Sequence, residues 1–331
     1  MKDIQFNTIN TRIRTYEEKL LHKNTYERMF AVQQAEEILS ILQETPYGDF
    51  IEENTSVHDF EQLLLAEQKR VYDNLYEISP NRQVIDLFSL KYDYQNLKVF
   101  VKEVLIDKDL SSLLVPYGSV PLSTLKELVK VRHSEHVHEQ MNACMQEIFQ
   151  YIEGYHEHHA LDIIFDNHYW QHLSAIANGN EDFQLLVRRN IDVFNISTAL
   201  RSHLMGRHKG FITAVLAEGG TLPVDKLVET ISSSLDEFVT YLQETPYKLL
   251  IDSSYEEIIT KKTLNDFDLW KDNFLMARLK EQKIIPFGPW AMMGYIYAKE
   301  IEIKNLRILL IGKINKIPEE ILRSRVRETY V

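Results

Sequence analysis

Two groups of histidines have residue types and spacing that could support metal chemistry. His168 and His172 are four residues apart, the spacing at which two imidazoles on one helix face bind zinc. The second group is His156–His159, in which three of the four residues are histidine. The metalloprotease pattern needs Glu directly after the first histidine, whereas Tyr169 follows His168. Since a catalytic zinc also needs three convergent ligands, we expect no metal site and interpret these histidines as a solvated, pH-responsive helix surface.

Other catalytic motifs are missing from the sequence. There is no G-x-x-x-x-G-K-[ST] phosphate loop, and the stretch Gly206–Gly210 is too short to be one. There is no G-x-S-x-G nucleophile motif, and Cys144, the single cysteine, falls in a predicted helix without a positioned partner. We therefore predict no catalytic residues, no cofactor and no enzymatic activity of the chain by itself.

Composition favours a packed helical protein. The 331 residues are 44% hydrophobic and include only 11 Gly and 9 Pro, which is little punctuation for an all-β fold. One cysteine excludes an internal disulfide framework and fits a reducing compartment. A net charge of −12 argues against a nucleic-acid partner and against direct adsorption to anionic lipid.

No stretch of the sequence is apolar for long enough to cross a bilayer. The longest candidate, residues 284–298, is too short and is interrupted by Pro286, Gly288 and Pro289. The first residues lack the apolar region of a signal peptide. We therefore expect no direct transmembrane insertion and no export by that route.

An acidic residue, Asn three places later, then an aliphatic residue and a basic one recur three times at long intervals. The spacings between the acids are 192 − 93 = 99 and 302 − 192 = 110 residues, which is the length of one small domain. Asn is a poor residue for a helix interior, so its recurrence indicates a specific role. The structural repeat pairs are Asp93 with Asn96, Asp192 with Asn195, and Glu302 with Asn305.

Two other markers follow the same period. Pro121, Pro223 and, more loosely, Pro318 each precede a new apolar-periodic run. The sequence Leu-Gln-Glu-Thr-Pro-Tyr at 42–47 returns unchanged at 242–247, two periods later, whereas the middle unit keeps only Phe149-Gln-Tyr-Ile152 at the expected place. We predict an all-α fold of three homologous helical units of about 100 residues each. Their predicted boundaries are 1–117, 118–219 and 220–331.

Hydrophobic periodicity predicts the helices inside these units. The predicted helices cover about 10–43, 57–78 and 84–106 in the first unit, 122–152, 161–176 and 183–205 in the second, and 224–243, 255–281, 289–312 and a short one from 318 in the third. Residues i and i+3 share a helix face, so each acid and its Asn point the same way. The pairs are expected to hydrogen-bond polar groups where helices cross, and the alternative is that they line a shared cavity.

The chain resembles the central rotor subunit of V-type and A-type rotary ATPases, which is designated C in prokaryotes and d in eukaryotes. The resemblance lies in residues 285–288, 294–300 and 302–307, in Gly312-Lys and in Pro318-Glu-Glu-Ile-Leu, and again in Lys91–Lys98. It covers the whole chain, because all three repeats take part.

The resemblance implies an architecture and a role. The three units are expected to form a pseudo-threefold funnel that sits on the membrane proteolipid ring and receives the tip of the central stalk. The chain is then a non-catalytic structural component on the cytoplasmic side of the membrane, peripheral to it, that links ATP hydrolysis or synthesis to H+ or Na+ transport. The expected partners are the central stalk subunits and the proteolipid ring, and no homo-oligomer is expected.

Threefold closure predicts that equivalent joints lie on one rim. We expect the loops at 115–121, 217–223 and 313–318 to form that rim, with basic side chains lining the socket. The candidate partner-binding residues are Lys98, Arg201, Arg307, Tyr117, Gly118, Gly219, Gly220 and Lys316. The alternatives are a stand-alone helical-repeat scaffold and a metal-dependent enzyme that uses the His156–His159 region.

Overall fold

The computed structural model describes residues 6–155 and 160–331, and the regular structure in these ranges is helical throughout, without a strand. The predicted all-α class is confirmed. Residues 1–88 with 268–331 form one compact unit, called the terminal unit below, and residues 89–267 form a second, the central unit. The division into 1–117, 118–219 and 220–331 stays a prediction about repeats.

The helices are numbered along the chain. In the first half they are α1 Asn7–Glu17, α2 Lys23–Ala31, α3 Ala35–Leu42, α4 Phe60–Ile78, α5 Gln83–Ile106, α6 Leu122–Val131, α7 Glu139–Gly154 and α8 Leu161–Ala177. In the second half they are α9 Glu181–Leu204, α10 Lys209–Val215, α11 Val224–Ser233, α12 Leu235–Gln243, α13 Lys248–Lys261, α14 Asn265–Glu281, α15 Trp290–Ile314 and α16 Glu319–Arg325.

Long helices with a clear apolar period were predicted correctly, and interrupted ones were not. The helices α4, α5, α8, α9, α15 and α16 confirm the predictions for their segments. The predicted helix over 10–43 is three helices, and the segments 122–152, 224–243 and 255–281 each contain two; α10 was not predicted. Local caps cause two of these breaks. Glu37 Oε1 accepts from the backbone N of Gln34 at 2.9 Å and starts α3, and Ser234 Oγ accepts from Glu237 N at 3.1 Å and starts α12.

The core of the terminal unit forms around α15. Its buried side chains come from α2, α3 and α4 and from the C-terminal half of α15, with Leu322 from α16. Gly312 allows the close approach of α16, because a Cβ there would lie 2.2 Å from Leu322 Cδ2. Helix α15 therefore runs through the core, and its polar residues Lys299, Glu302 and Asn305 are buried with it.

The central unit packs its helices in succession. Helix α7 packs on α8, α8 on α9, α9 on α11, α11 on α12, and α12 on α13. Helix α9 is thereby covered on several sides, and Asp192 and Asn195 are fully buried in its middle. Buried polar groups need hydrogen-bond partners inside the protein, and the partners of these two residues define the candidate site.

Candidate functional site

Each repeated Asn holds a backbone segment about twenty residues further along the chain. Asn96 donates from Nδ2 to Val115 O and accepts at Oδ1 from Val115 N, both at 2.9 Å. Asn195 makes the same two bonds with Ala217 at 2.8 Å, and Asn305 makes them with Arg327 at 2.9 and 2.8 Å. In each case one amide satisfies both polar groups of a single residue, so the three Asn residues are structural latches.

The acids of the first two pairs hold the turn that follows the latch. Asp93 accepts from Ser119 N at 2.9 Å, from Ser119 Oγ at 2.6 Å and from Val120 N at 3.1 Å. Asp192 accepts from Thr221 N at 2.8 Å and Leu222 N at 2.9 Å, and also from the Thr221 hydroxyl. The pairs were expected to hydrogen-bond polar groups where helices cross, and these two acids bind the turns that follow α5 and α9.

The third acid, Glu302, lies in a buried charge cluster of the terminal unit. It accepts from Leu21 N at 2.5 Å, so it holds the segment before α2. Its Oε1 also lies 2.6 Å from the ammonium of Lys299, which is 3.0 Å from Glu67 Oε1. Burial lowers the pKa of Lys299, but the carboxylates of Glu302 and Glu67 outweigh it and raise that pKa above its usual value.

The duplicated Leu-Gln-Glu-Thr-Pro-Tyr sequence forms the same contact twice. Tyr247 donates its hydroxyl to Asp192 Oδ2 at 2.7 Å, and Tyr47 donates to Glu302 Oε1 at 2.8 Å. Burial raises the pKa of both phenols, so they stay protonated donors. The sequence contained this signal, but the contact between tyrosine and acid was not predicted.

The third predicted joint, 313–318, is not equivalent to 115–121 and 217–223. Eleven positions after each Asn lies a residue with a positive backbone φ angle. These residues are Asp107, Gly206 and Lys316 (107 − 96, 206 − 195 and 316 − 305). Lys316 therefore corresponds to Asp107 and Gly206 at the ends of α5 and α9. In the third copy Asn305 binds the backbone of Arg327. The predicted equivalence of 313–318 to the other two joints was therefore wrong. Pro318 begins α16, which has the sequence position of α10.

Gly118 lies against Asp93, and Gly220 lies against Asp192. A Cβ on Gly220 would lie 2.2 Å from Asp192 Oδ1, and one on Gly118 would lie 2.0 Å from Asp93 Oδ1. We expect Gly220→Ala to lower the free energy of unfolding by about 1–3 kcal/mol, because the carboxylate must move away from its donors. Urea denaturation of the full chain measures this change.

Gly154→Ala is the matched control, because nothing lies within 4 Å of the added methyl group. It is the last residue of α7, where Ala is neutral or slightly stabilising. Equal stability of both variants would contradict the close contact of Gly220 with Asp192.

The histidines of α8 are buried, so the predicted solvated surface is wrong for His168 and His172. His168 Nε2 lies 2.8 Å from Glu147 Oε2, and its Nδ1 accepts from Gln140 Nε2 at 2.6 Å. The His172 ring stacks on His138 at 4.1 Å. The described residues contain no group of three or more possible metal ligands, and His156–His159 lie outside them.

Burial and the neighbouring His138 lower the pKa of His172 to about 3. Below about pH 6.5 the unfolded chain binds a proton at this position that the folded chain refuses, so stability falls as pH falls. From about pH 7.5 to about pH 5, we expect wild type to lose about 2 kcal/mol more unfolding free energy than His172→Phe. Urea denaturation at the two pH values tests this, and equal losses would show that His172 protonates freely in the folded chain.

The candidate partner-binding residues have different environments. Lys98 lies 2.8 Å from Asp166 Oδ1, and Arg307 binds both oxygens of Glu61 at 2.7 and 2.9 Å. Tyr117 is buried edge-on to Tyr92, with ring centroids 4.6 Å apart. The exposed members of the set are Arg201, Gly219 and Lys316, while Gly118 and Gly220 are half-buried against the acids.

The described helices include none that is long and apolar enough to span a membrane. The segment closest to that length in the sequence, 284–298, is divided between a loop with exposed Ile284 and Phe287 and the start of α15. These observations leave the two compact units, each with its acid and Asn latches, as the features to compare with known proteins.

Comparison with known proteins identifies a family and several relatives. The pattern of the ATP synthase (C/AC39) subunit family matches residues 9–325. The chain is 28% identical over 330 residues to the C subunit of the V-type sodium ATPase of Enterococcus hirae, with 99% of each chain covered. It is 25% identical over 340 residues to the C subunit of the A-type ATP synthase of Methanocaldococcus jannaschii, covering 96% of this chain and 84% of the relative.

A third relative, the C subunit of the A-type ATP synthase of Desulfurococcus sp. (strain SY), is 25% identical over 323 residues. The match to the family extends over nearly the whole chain and includes all three acid and Asn pairs. The chain belongs to the ATP synthase (C/AC39) subunit family. The resemblance drawn from the repeats is thereby confirmed.

Proposed function

We propose that this chain is the non-catalytic rotor adaptor of a V/A-type rotary ATPase. In this role it couples the central stalk to the membrane proteolipid ring on the cytoplasmic side, so that ATP hydrolysis or synthesis is linked to H+ or Na+ transport. The observation that carries the proposal is the family match over residues 9–325, together with relatives named as the C subunits of V-type and A-type enzymes.

The latches support the mechanical part of this role. An adaptor that transmits torque must not yield at its joints. Here the joints after α5, α9 and α15 are each fixed by two hydrogen bonds from a buried Asn. The chain has only 11 Gly and 9 Pro, which also favours stiffness.

Each of the three acids binds a segment of another predicted unit. Asp93 meets residues 119–120, Asp192 meets residues 221–222, and Glu302 meets Leu21 near the beginning of the chain. The pseudo-threefold funnel, with stalk and ring bound at its ends, is part of the proposal because the chain belongs to this family.

The eight candidate partner-binding residues also remain part of it. Arg201, Gly219 and Lys316 are exposed and accessible to a partner. Lys98 and Arg307 each combine partial exposure with an ion pair inside their own unit, so a partner would have to share or replace Asp166 or Glu61.

Deletion of this chain from its native host tests the proposal. We expect membrane vesicles from the deletion strain to lose ATP-driven ion uptake, while the released catalytic part still hydrolyses ATP. A plasmid copy of the chain should restore uptake. ATP-driven uptake at the wild-type level without the chain would overturn the role, and loss of ATP hydrolysis together with release would indicate a catalytic rather than a coupling function.

A further inference from the structure

A basic segment surrounds the turn between α9 and α10 in the central unit. Its members are Arg201, His203, Arg207, His208 and Lys209, and we use the name basic segment for these five residues. No Asp or Glu occurs between residues 193 and 217, although the chain as a whole carries a net charge of −12. We propose that the basic segment is a docking surface for an acidic segment of a partner protein.

The backbone holds this segment in a defined conformation. Gly206 has a φ of +65°, and Arg207 N donates to Ser202 O at 2.9 Å, which closes the end of α9. His208 Nδ1 then accepts from Phe211 N at 3.2 Å and caps α10. A pre-formed surface loses little conformational entropy when a partner binds, so the turn suits recognition.

Arg207 and Lys209 are available to a partner. Arg207, His208 and Lys209 are exposed. Within 6–155 and 160–331, neither Arg207 nor Lys209 forms an ion pair; the guanidinium of Arg207 lies 5.1 Å from the centroid of the Phe211 ring. Glu229, on α11, is held by Lys226 at 3.0 Å. By contrast, the basic residues Lys98, Arg307 and Arg323 elsewhere in the chain are paired with their own carboxylates.

An exposed apolar side chain lies between the two ends of the basic segment. Met205 is 66% exposed and sits between Arg201 and Arg207 in the sequence. The unbranched thioether of Met adapts to irregular apolar partners. The matching ligand is a short segment that carries several carboxylates and one apolar side chain.

A protein segment fits this surface better than an anionic membrane. Helix α11 packs on both α9 and α10 and carries Glu229, whose pKa is lowered by its hydrogen bond to Lys226 and also by the charge of nearby Lys209. A flat anionic bilayer in contact with Lys209 would approach this carboxylate as well, and salt screens charges fully only beyond about 8–10 Å. A narrow acidic segment can meet Arg207 and Lys209 without doing so.

Binding of poly-L-glutamate of about 20 residues to the purified full chain tests the surface. We expect fluorescence anisotropy to show binding that weakens as salt rises through about 0.15 M. R207E/K209E is expected to weaken it at least about tenfold. K248E/K261E makes the same change in net charge on exposed lysines of α13 and should leave affinity within about twofold.

Equal weakening by both double variants would overturn the proposal, because the attraction would then depend on net charge and not on this surface. Failure of wild type to bind the polymer would also overturn it. A third overturning result is binding to phosphatidylserine vesicles, but not to poly-L-glutamate, that R207E/K209E abolishes. The measurement uses the isolated chain, so its outcome is independent of the rotor role.

Discussion

Lys299→Met is expected to destabilise the terminal unit by about 3–5 kcal/mol. Lys299 is 3% exposed and lies 3.0 Å from Glu67 and 2.6 Å from Glu302, which are also buried. Removing the ammonium leaves two buried carboxylates, of which Glu67 is also paired with Arg70. Since whole domains are stable by only about 5–15 kcal/mol, this single change should produce a large shift in the urea midpoint.

An exposed ion pair provides the control for Lys299→Met. Lys226→Met breaks an exposed pair with Glu229 and should leave stability unchanged. If Lys299→Met were no worse than this control, the buried cluster would not be needed for the fold.

The sequence predicted the parts of the fold that local patterns encode. The apolar periods of α5, α9 and α15 and the recurring acid and Asn pairs identified the long helices and the family. The break at α3 was missed because Gln33 and Gln34 are good helix formers, and only the carboxylate of Glu37 on their backbone N–H groups shows that a new helix begins.

The candidate site was less accessible to sequence reasoning, because its contacts join distant residues. Nothing near Lys98 or Arg307 in the sequence indicates that Asp166 and Glu61 neutralise them. Similarly, Pro318 was predicted as part of the third joint because Pro is easily recognised. The residue that Asn305 binds in that copy is Arg327, and no local sequence signal identifies it. Contacts between residues far apart in the sequence decide which of several similar residues is paired, and the sequence pattern alone does not show these contacts.

Asp192→Ala is expected to cost about 3–5 kcal/mol of unfolding free energy in the central unit. The carboxylate is fully buried and accepts from Thr221 N, Leu222 N and the Tyr247 hydroxyl. Each buried donor left without an acceptor costs about 1–3 kcal/mol, and water can reach the half-exposed turn to replace part of the loss. Urea denaturation followed by circular dichroism measures the total.

Asp93 is the corresponding acid of the first repeat. It holds an equivalent turn through Ser119 and Val120. Asp93→Ala should therefore also destabilise the central unit, because these donors lose their acceptor.

A double-mutant cycle isolates the contact between the Tyr247 hydroxyl and Asp192. Tyr247→Phe alone should cost about 1 kcal/mol in wild type and clearly less once Asp192 is Ala, because the bond to that carboxylate is already gone. The same cycle with Tyr47→Phe and Glu302→Ala should show coupling in the terminal unit, where the contact distance is 2.8 Å. Strictly additive effects in both cycles would mean that the duplicated Leu-Gln-Glu-Thr-Pro-Tyr sequence stabilises its own turn and does not join one repeat to the acid of another.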